Sequence, residues 1–126
     1  MKTERIVNTA LNIARLGDHK HRTGAVIFKG DKIISVGHNS ILKSIRKLHP
    51  RFRRWPGSIH AEVAAIINAR RKLKGYDILI VRINRIEKLM YAKPCSNCMK
   101  YIEYVGIDKV YYSTNEGTIE EYNEKN

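Results

Sequence analysis

The chain has 126 residues, 43% of them hydrophobic, which suits one compact domain over residues 1–126 with a sizeable core. Lys and Arg number 24 against 12 for Asp and Glu, a formal charge of +12 that favours a polyanionic or phosphorylated partner. Met1 to Arg15 carries Glu4 and Asn8 and no long apolar run, which speaks against a signal peptide and a membrane span and leaves a cytoplasmic address as the expectation.

From Thr3 to Leu16, apolar residues recur at three- and four-residue intervals (Ile6, Val7, Ala10, Leu11, Ile13, Ala14) with Gly17 after them. This predicts an amphipathic helix. Two β-branched runs follow, Thr23 to Lys29 and Lys32 to His38, joined by Gly30-Asp31; they read as a hairpin. Asn39 to Ser58 loses all periodicity at Pro50, Pro56 and Gly57 and reads as a long loop with one helical turn around Ile41 to Leu48. A loop of this length in a small domain usually has a function or is disordered.

A second helix is expected from Ile59 to Leu73, with Ser58 as its cap, Glu62 near the capping-box position and Gly75 as its stop. Asp77 to Ile83 is a nearly unbroken apolar run, the pattern of a strand buried on both faces. Residues 95–105 give a third helix with Met99, Ile102 and Val105 inward and Gly106 as its stop, and Asp108 to Ser113 a further strand. Strand, helix, strand in this order implies a right-handed parallel crossover. The fold class is therefore α/β, a three-layer α/β/α arrangement with a mixed sheet, an antiparallel hairpin and then parallel strands. The polar tail from Thr114 is expected to end in a short helix.

The chemistry concentrates in His60-Ala61-Glu62 and Pro94-Cys95-Ser96-Asn97-Cys98, which hold the chain's two cysteines. The loop between those thiols is too small for a good structural disulfide, whereas their spacing makes a metal half-site, in a reducing compartment. With His60 they offer three N/S ligands to a tetrahedral zinc and leave the fourth corner for water. Glu62 is placed to exchange that water's protons. A bare pair of cysteines would leave ordinary buried thiols equally plausible; the His-x-Glu partner favours the metal. A closed structural site using His38, His49, His19 or His21 as fourth ligand is the other alternative, and it has no use for an acid beside the metal.

At these residues the sequence resembles the zinc-dependent cytidine and deoxycytidylate deaminase superfamily, which is known by a His-x-Glu and Pro-Cys-x-x-Cys pair. The resemblance extends to Thr23-Gly24-Ala25-Val26-Ile27 as first strand, Gly37-His38-Asn39 as the turn after the second, and His60 to Ile66 as ligand helix. It covers roughly residues 23–114 and is closest in pattern to deoxycytidylate deaminases. It implies Zn2+ held by His60, Cys95 and Cys98, with Glu62 catalytic. Water activated at the zinc would attack the amino-bearing ring carbon, while Glu62 protonates the ring nitrogen and then the departing ammonia. Asn39 would bond the sugar or the base, Ala61 would offer a small wall and a backbone group, and Tyr112 or Tyr111 would stand near the substrate. Relatives of this kind usually add another helix and a fifth strand after the last one predicted here. The expected consequence is an open sheet edge, or a homo-oligomer that covers it.

Between Asp31 and Glu62 there is no acidic residue, while Lys32, Lys43, Arg46, Lys47, Arg51, Arg53 and Arg54 all fall there, interleaved with His49, Phe52 and Trp55. Two or three of these cations, Arg51, Arg53 and Arg54 first, would clamp one phosphate of a nucleotide. More of them, with Phe52 and Trp55 stacking on bases, would track single-stranded nucleic acid along the basic loop 43–55. A solvated segment with Trp55 folded back as a plug is the bland reading. The leading expectation is hydrolytic deamination of cytosine in a (deoxy)cytidine monophosphate. The alternatives are a deaminase of cytosine or adenine in single-stranded DNA or RNA, and a catalytically silent zinc module that binds nucleic acid.

Overall fold

A computed structural model describes residues 4–17, 22–39 and 60–122. Its elements in chain order are α1 (Glu4–Ala14), β1 (Arg22–Lys29), β2 (Lys32–His38), α2 (Ala61–Ala69), β3 (Asp77–Ile83), β4 (Leu89–Met90), α3 (Ser96–Tyr104), β5 (Val110–Ser113) and β6 (Ile119–Glu121). The strands form one mixed sheet in the order β2-β1-β3-β5-β6, with β4 paired to one end of β3. The β1–β2 hairpin is antiparallel, β1 lies antiparallel to β3, and β3 and β5 are the parallel pair made by the crossover through α3.

Alternation along the strands divides the core into two layers. Ile6, Ala10 and Ala14 of α1 pack on Val26, Phe28, Leu79, Val81, Ile83 and Tyr111. On the opposite face α2 and α3 cover Ala25, Ile27, Ile78, Ile80 and Tyr112. β3 stands at the centre with Ile78 to Val81 fully buried, as its continuous apolar run predicts.

Two glycines let the helices sit directly on the backbone of the sheet. A Cβ on Gly24 would fall 2.6 Å from the Ala14 nitrogen of α1, and one on Gly37 would meet the Ala65 nitrogen and lie 2.8 Å from the Ala61 carbonyl oxygen of α2. Neither neighbour is a side chain that can swing aside. Gly37→Ala should therefore push α2 off the sheet and destabilise the protein by about 2 kcal/mol, read as a lower urea midpoint at constant slope; an unchanged midpoint would contradict this close packing.

Four expectations need correction. Helix α2 ends at Ala69 rather than Leu73, because Arg70 takes a left-handed conformation (φ 52°, ψ 35°). Leu73 is nonetheless 1% exposed, so it fills the core from the return loop, which is why it extends the helical pattern. The tail forms no helix within its described residues. Thr114 and Gly117 close a turn (Thr114 N–H to the Thr118 carbonyl, 2.9 Å; Gly117 N–H to the Thr114 carbonyl, 3.1 Å) that folds β6 back antiparallel onto β5. The edge of β5 expected to be open is thus covered by the chain itself. Finally, His60 and not Ser58 is the N-cap of α2, with no side-chain cap bond; Ser58, the long loop and its helical turn lie outside the described residues.

Candidate active site

The pairings make β2, β3 and β5 run in the same direction, so their carboxyl ends share one end of the sheet. Helices α2 and α3 follow β2 and β3 in the chain and begin at that end. Their first residues converge there: His60 is the N-cap of α2 and Cys95 the N-cap of α3, both extended. The crevice outside the carboxyl ends of such strands is the ordinary ligand position of α/β sheets.

The ligand atoms of His60, Cys95 and Cys98 all lie within 4.8 Å of one another, and His60 Nδ1 is 3.2 Å from Cys98 Sγ. Zinc at bonds of about 2.3 Å to sulfur would hold two thiolates roughly 3.8 Å apart in a tetrahedron, so the donor set fits the ion. Cys98 is fully buried and Cys95 exposed, which puts the open side of the site at Cys95. The Cys98 thiol donates to Cys95, which holds Cys95 down to about 5, helped by the backbone N–H groups of Cys98 and Asn97 at the helix start. The same bond, with burial, pushes Cys98 up. A thiolate sharing its neighbour's proton is a site with a place for a cation.

Glu62 is 6% exposed beside this cluster. Burial pushes its carboxyl above the ordinary carboxylate range, opposed by its own backbone N–H and by His60. Its side chain also bonds the Cys98 thiol. A carboxyl raised by desolvation is suited to taking and giving a proton near neutrality.

The other expected contacts are placed as follows. Asn39 is buried at the end of β2, where its Oδ1 accepts from Thr23 N–H at 2.9 Å; a ligand bond from this side chain would be a donation from Nδ2. Ala61 is 1% exposed within the core layer of α2. Tyr112 is buried on the same face as the cluster, edge-on to Tyr91 at 5.9 Å, whereas Tyr111 faces α1. His38 Nδ1 lies 2.9 Å from the Asn39 carbonyl oxygen and does not join the metal ligands. Arg51, Arg53, Arg54 and Trp55, with the rest of the basic loop and with His19, His21 and His49, lie outside the described residues.

Ser113 has a part that the sequence analysis missed. Its hydroxyl accepts from Arg82 N–H (3.2 Å) and donates to the Met90 carbonyl (2.6 Å), and its own carbonyl accepts from Ala92 N–H (3.0 Å). It thereby ties β3, β4 and the segment leading into Pro94-Cys95 together. Strand register sets this role, and residue type alone carries no sign of it.

The profile of the cytidine and deoxycytidylate deaminase zinc-binding region matches residues 1–114. The chain belongs to this deaminase family. It is 34% identical over 97 residues to the "uncharacterized deaminase in luxG 3' region" of Aliivibrio fischeri, and the match takes 75% of this chain and 59% of that one. The chain thus spans little more than half the length of this relative. Among solved structures, a cytidine deaminase from Burkholderia pseudomallei superposes with a TM-score of 0.69 at 14% identity, covering 97% of this chain and 92% of its own. The dCMP deaminase of cyanophage S-TIM5, in complex with dCMP and dUMP, gives 0.60 at 20% identity, covering 93% and 90%. At these identities the likeness is one of fold, and it agrees with the α/β deaminase architecture expected from the motifs. The family's zinc-binding region and the cluster of His60, Cys95 and Cys98 agree on Zn2+ as the cofactor. No helix among the described residues is long and apolar enough to cross a membrane.

Proposed function

We propose that the protein hydrolyses the exocyclic amino group of cytosine in a (deoxy)cytidine monophosphate, giving the uracil nucleotide and ammonia. The observation that carries this is the buried carboxyl of Glu62 against a His-Cys-Cys set open on one side. His60, Cys95 and Cys98 hold the zinc, which when bound supplies a Lewis acid that lowers the pKa of water. Glu62 takes a proton from the attacking water, delivers it to the ring nitrogen, and passes a second to the departing amino group. Asn39 donates from Nδ2 to the sugar or base, and the burial of Cys98 and Glu62 keeps bulk water away from the reacting atoms.

Support for a nucleotide comes from the family, from the fold shared with an enzyme solved with dCMP and dUMP, and from the +12 charge with its acid-free stretch before His60. The same charge, with Phe52 and Trp55 among the cations, favours single-stranded nucleic acid as the second reading. A cytoplasmic location belongs to either reading, since the thiolates must stay reduced. Zinc-loaded protein incubated with CMP, dCMP, a cytosine-containing single strand and an adenosine stem-loop separates them: uracil nucleotide from a monophosphate is expected. Reaction of the oligonucleotides alone would replace the first reading with the second, and reaction of none would leave the silent zinc module.

A further inference from the structure

Arg82, on β3, stands out for one buried donor without an acceptor among the described residues. It is partly buried, and its Nε is fully buried with no hydrogen-bond partner among the described residues. The ion pair of Arg15 with Glu87 does not involve Arg82. A buried N–H without an acceptor loses hydration without recovering it.

Its position says what could supply the missing partner. Ile78 and Ile80 face α2 and α3 while Leu79, Val81 and Ile83 face α1, so alternation puts Arg82 on the face of the metal-ligand cluster. It pairs with Thr23 across β1. Thr23 in turn exchanges two bonds with Asn39, one from Asn39 N–H (3.2 Å) and one to Asn39 Oδ1 (2.9 Å). Arg82, Thr23 and Asn39 therefore form one row across the end of the sheet where α2 and α3 begin. The backbone partners of Arg82 are Thr23, Met90 and the Ser113 hydroxyl, and none of them carries a negative charge.

We infer that Arg82 is a specificity-determining residue that receives the phosphate of the nucleotide substrate at this end of the sheet. Among the described residues no acceptor meets the Nε–H of Arg82, and the guanidinium, on a side chain that is only partly buried, is a planar donor group suited to phosphate oxygens. Ser113 fixes the backbone of Arg82 at the sheet end through its N–H, which sets where the side chain starts. This rests on the nucleotide reading proposed above, and it is testable apart from turnover by using product and nucleoside as probes.

The test measures binding of dUMP and of deoxyuridine to zinc-loaded protein by calorimetry. The wild type should prefer dUMP by about tenfold or more, the effect of one charge-assisted bond pair. Arg82→Gln should bring the ratio close to one, and Arg82→Lys should restore part of it. A ratio that survives Arg82→Gln, a wild-type ratio already near one, or no measurable dUMP binding overturns the inference. Arg82→Met in the ligand-free protein should raise the melting temperature, because apolar surface replaces a buried donor without an acceptor; a fall would make the guanidinium a structural tie and would also overturn it. The outcomes separate from those of the deaminase reading. Lack of dCMP conversion with an Arg82-dependent preference for dUMP sinks that reading alone, and conversion of dCMP without the preference sinks only the role of Arg82.

Discussion

Glu62→Gln should lower cytosine deamination by about a thousandfold, the scale of a lost general acid–base group, while zinc content and melting temperature stay close to wild type. The substitution keeps the shape of the side chain and its polar contacts but removes the carboxyl's ability to cycle a proton. Glu62 is 6% exposed, and burial has already raised its carboxyl, so no bulk water is in place to take over the transfer. Steady-state ammonia release and metal analysis on the same preparation check the prediction. Unchanged ammonia release would remove Glu62 from the mechanism. Loss of zinc together with activity would make it a structural neighbour of the metal and no longer a proton carrier.

Cys98→Ala should abolish zinc binding and the stability that depends on it. Cys98 is 0% exposed within the core layer that α2 and α3 form on the sheet, so the proposed ligand is also a packed side chain. A ligand that binds only the folded state adds about 4 kcal/mol at a thousand times its dissociation constant. Titrating zinc into the wild type should therefore raise its melting temperature steadily, whereas Cys98→Ala should give a lower and flat response. Because Cys95 is exposed, Cys95→Ala should lose the metal with less harm to the apo fold. Full zinc content in either variant would contradict the ligand assignment.

The cluster of His60, Cys95 and Cys98 with Glu62 beside it was legible in the sequence because it depends on residue type at short spacing. Cys-x-x-Cys and His-x-Glu each place their groups within one helical turn, so two helix starts suffice to bring residues 60 and 95 together. The central strand was legible for a related reason: only a strand covered on both faces tolerates the run from Ile78 to Val81. What escaped depended on partners distant in sequence. Leu73 continued the helical pattern although it packs from a loop. The polar tail after Thr114 was expected to end in a short helix, yet Asn115-Glu116-Gly117 is a turn between two short runs able to pair, and β6 exists because β5 supplies the other half of the ladder.

Arg82 shows the same limit at the site. In the sequence it is one of 24 cations and interrupts an otherwise apolar strand. Only the register of β3 with β1, and the absence of any partner for its Nε among the described residues, distinguish it from a solvated arginine. The basic stretch before His60 drew attention by its density of charge, whereas Arg82 drew none because its significance lies in that one donor.

We propose that His60, Cys95, Cys98 and Glu62 form a hydrolytic deamination centre. Zinc-loaded protein supplied with dCMP in ¹⁸O-labelled water tests this most directly, with the product followed by mass spectrometry and the ammonia counted. The expected product is dUMP carrying one solvent-derived oxygen at the ring carbon that bore the amino group, with one ammonia released per product. Fully zinc-loaded, folded protein that leaves dCMP and CMP unchanged and releases no ammonia from any cytosine substrate would contradict it.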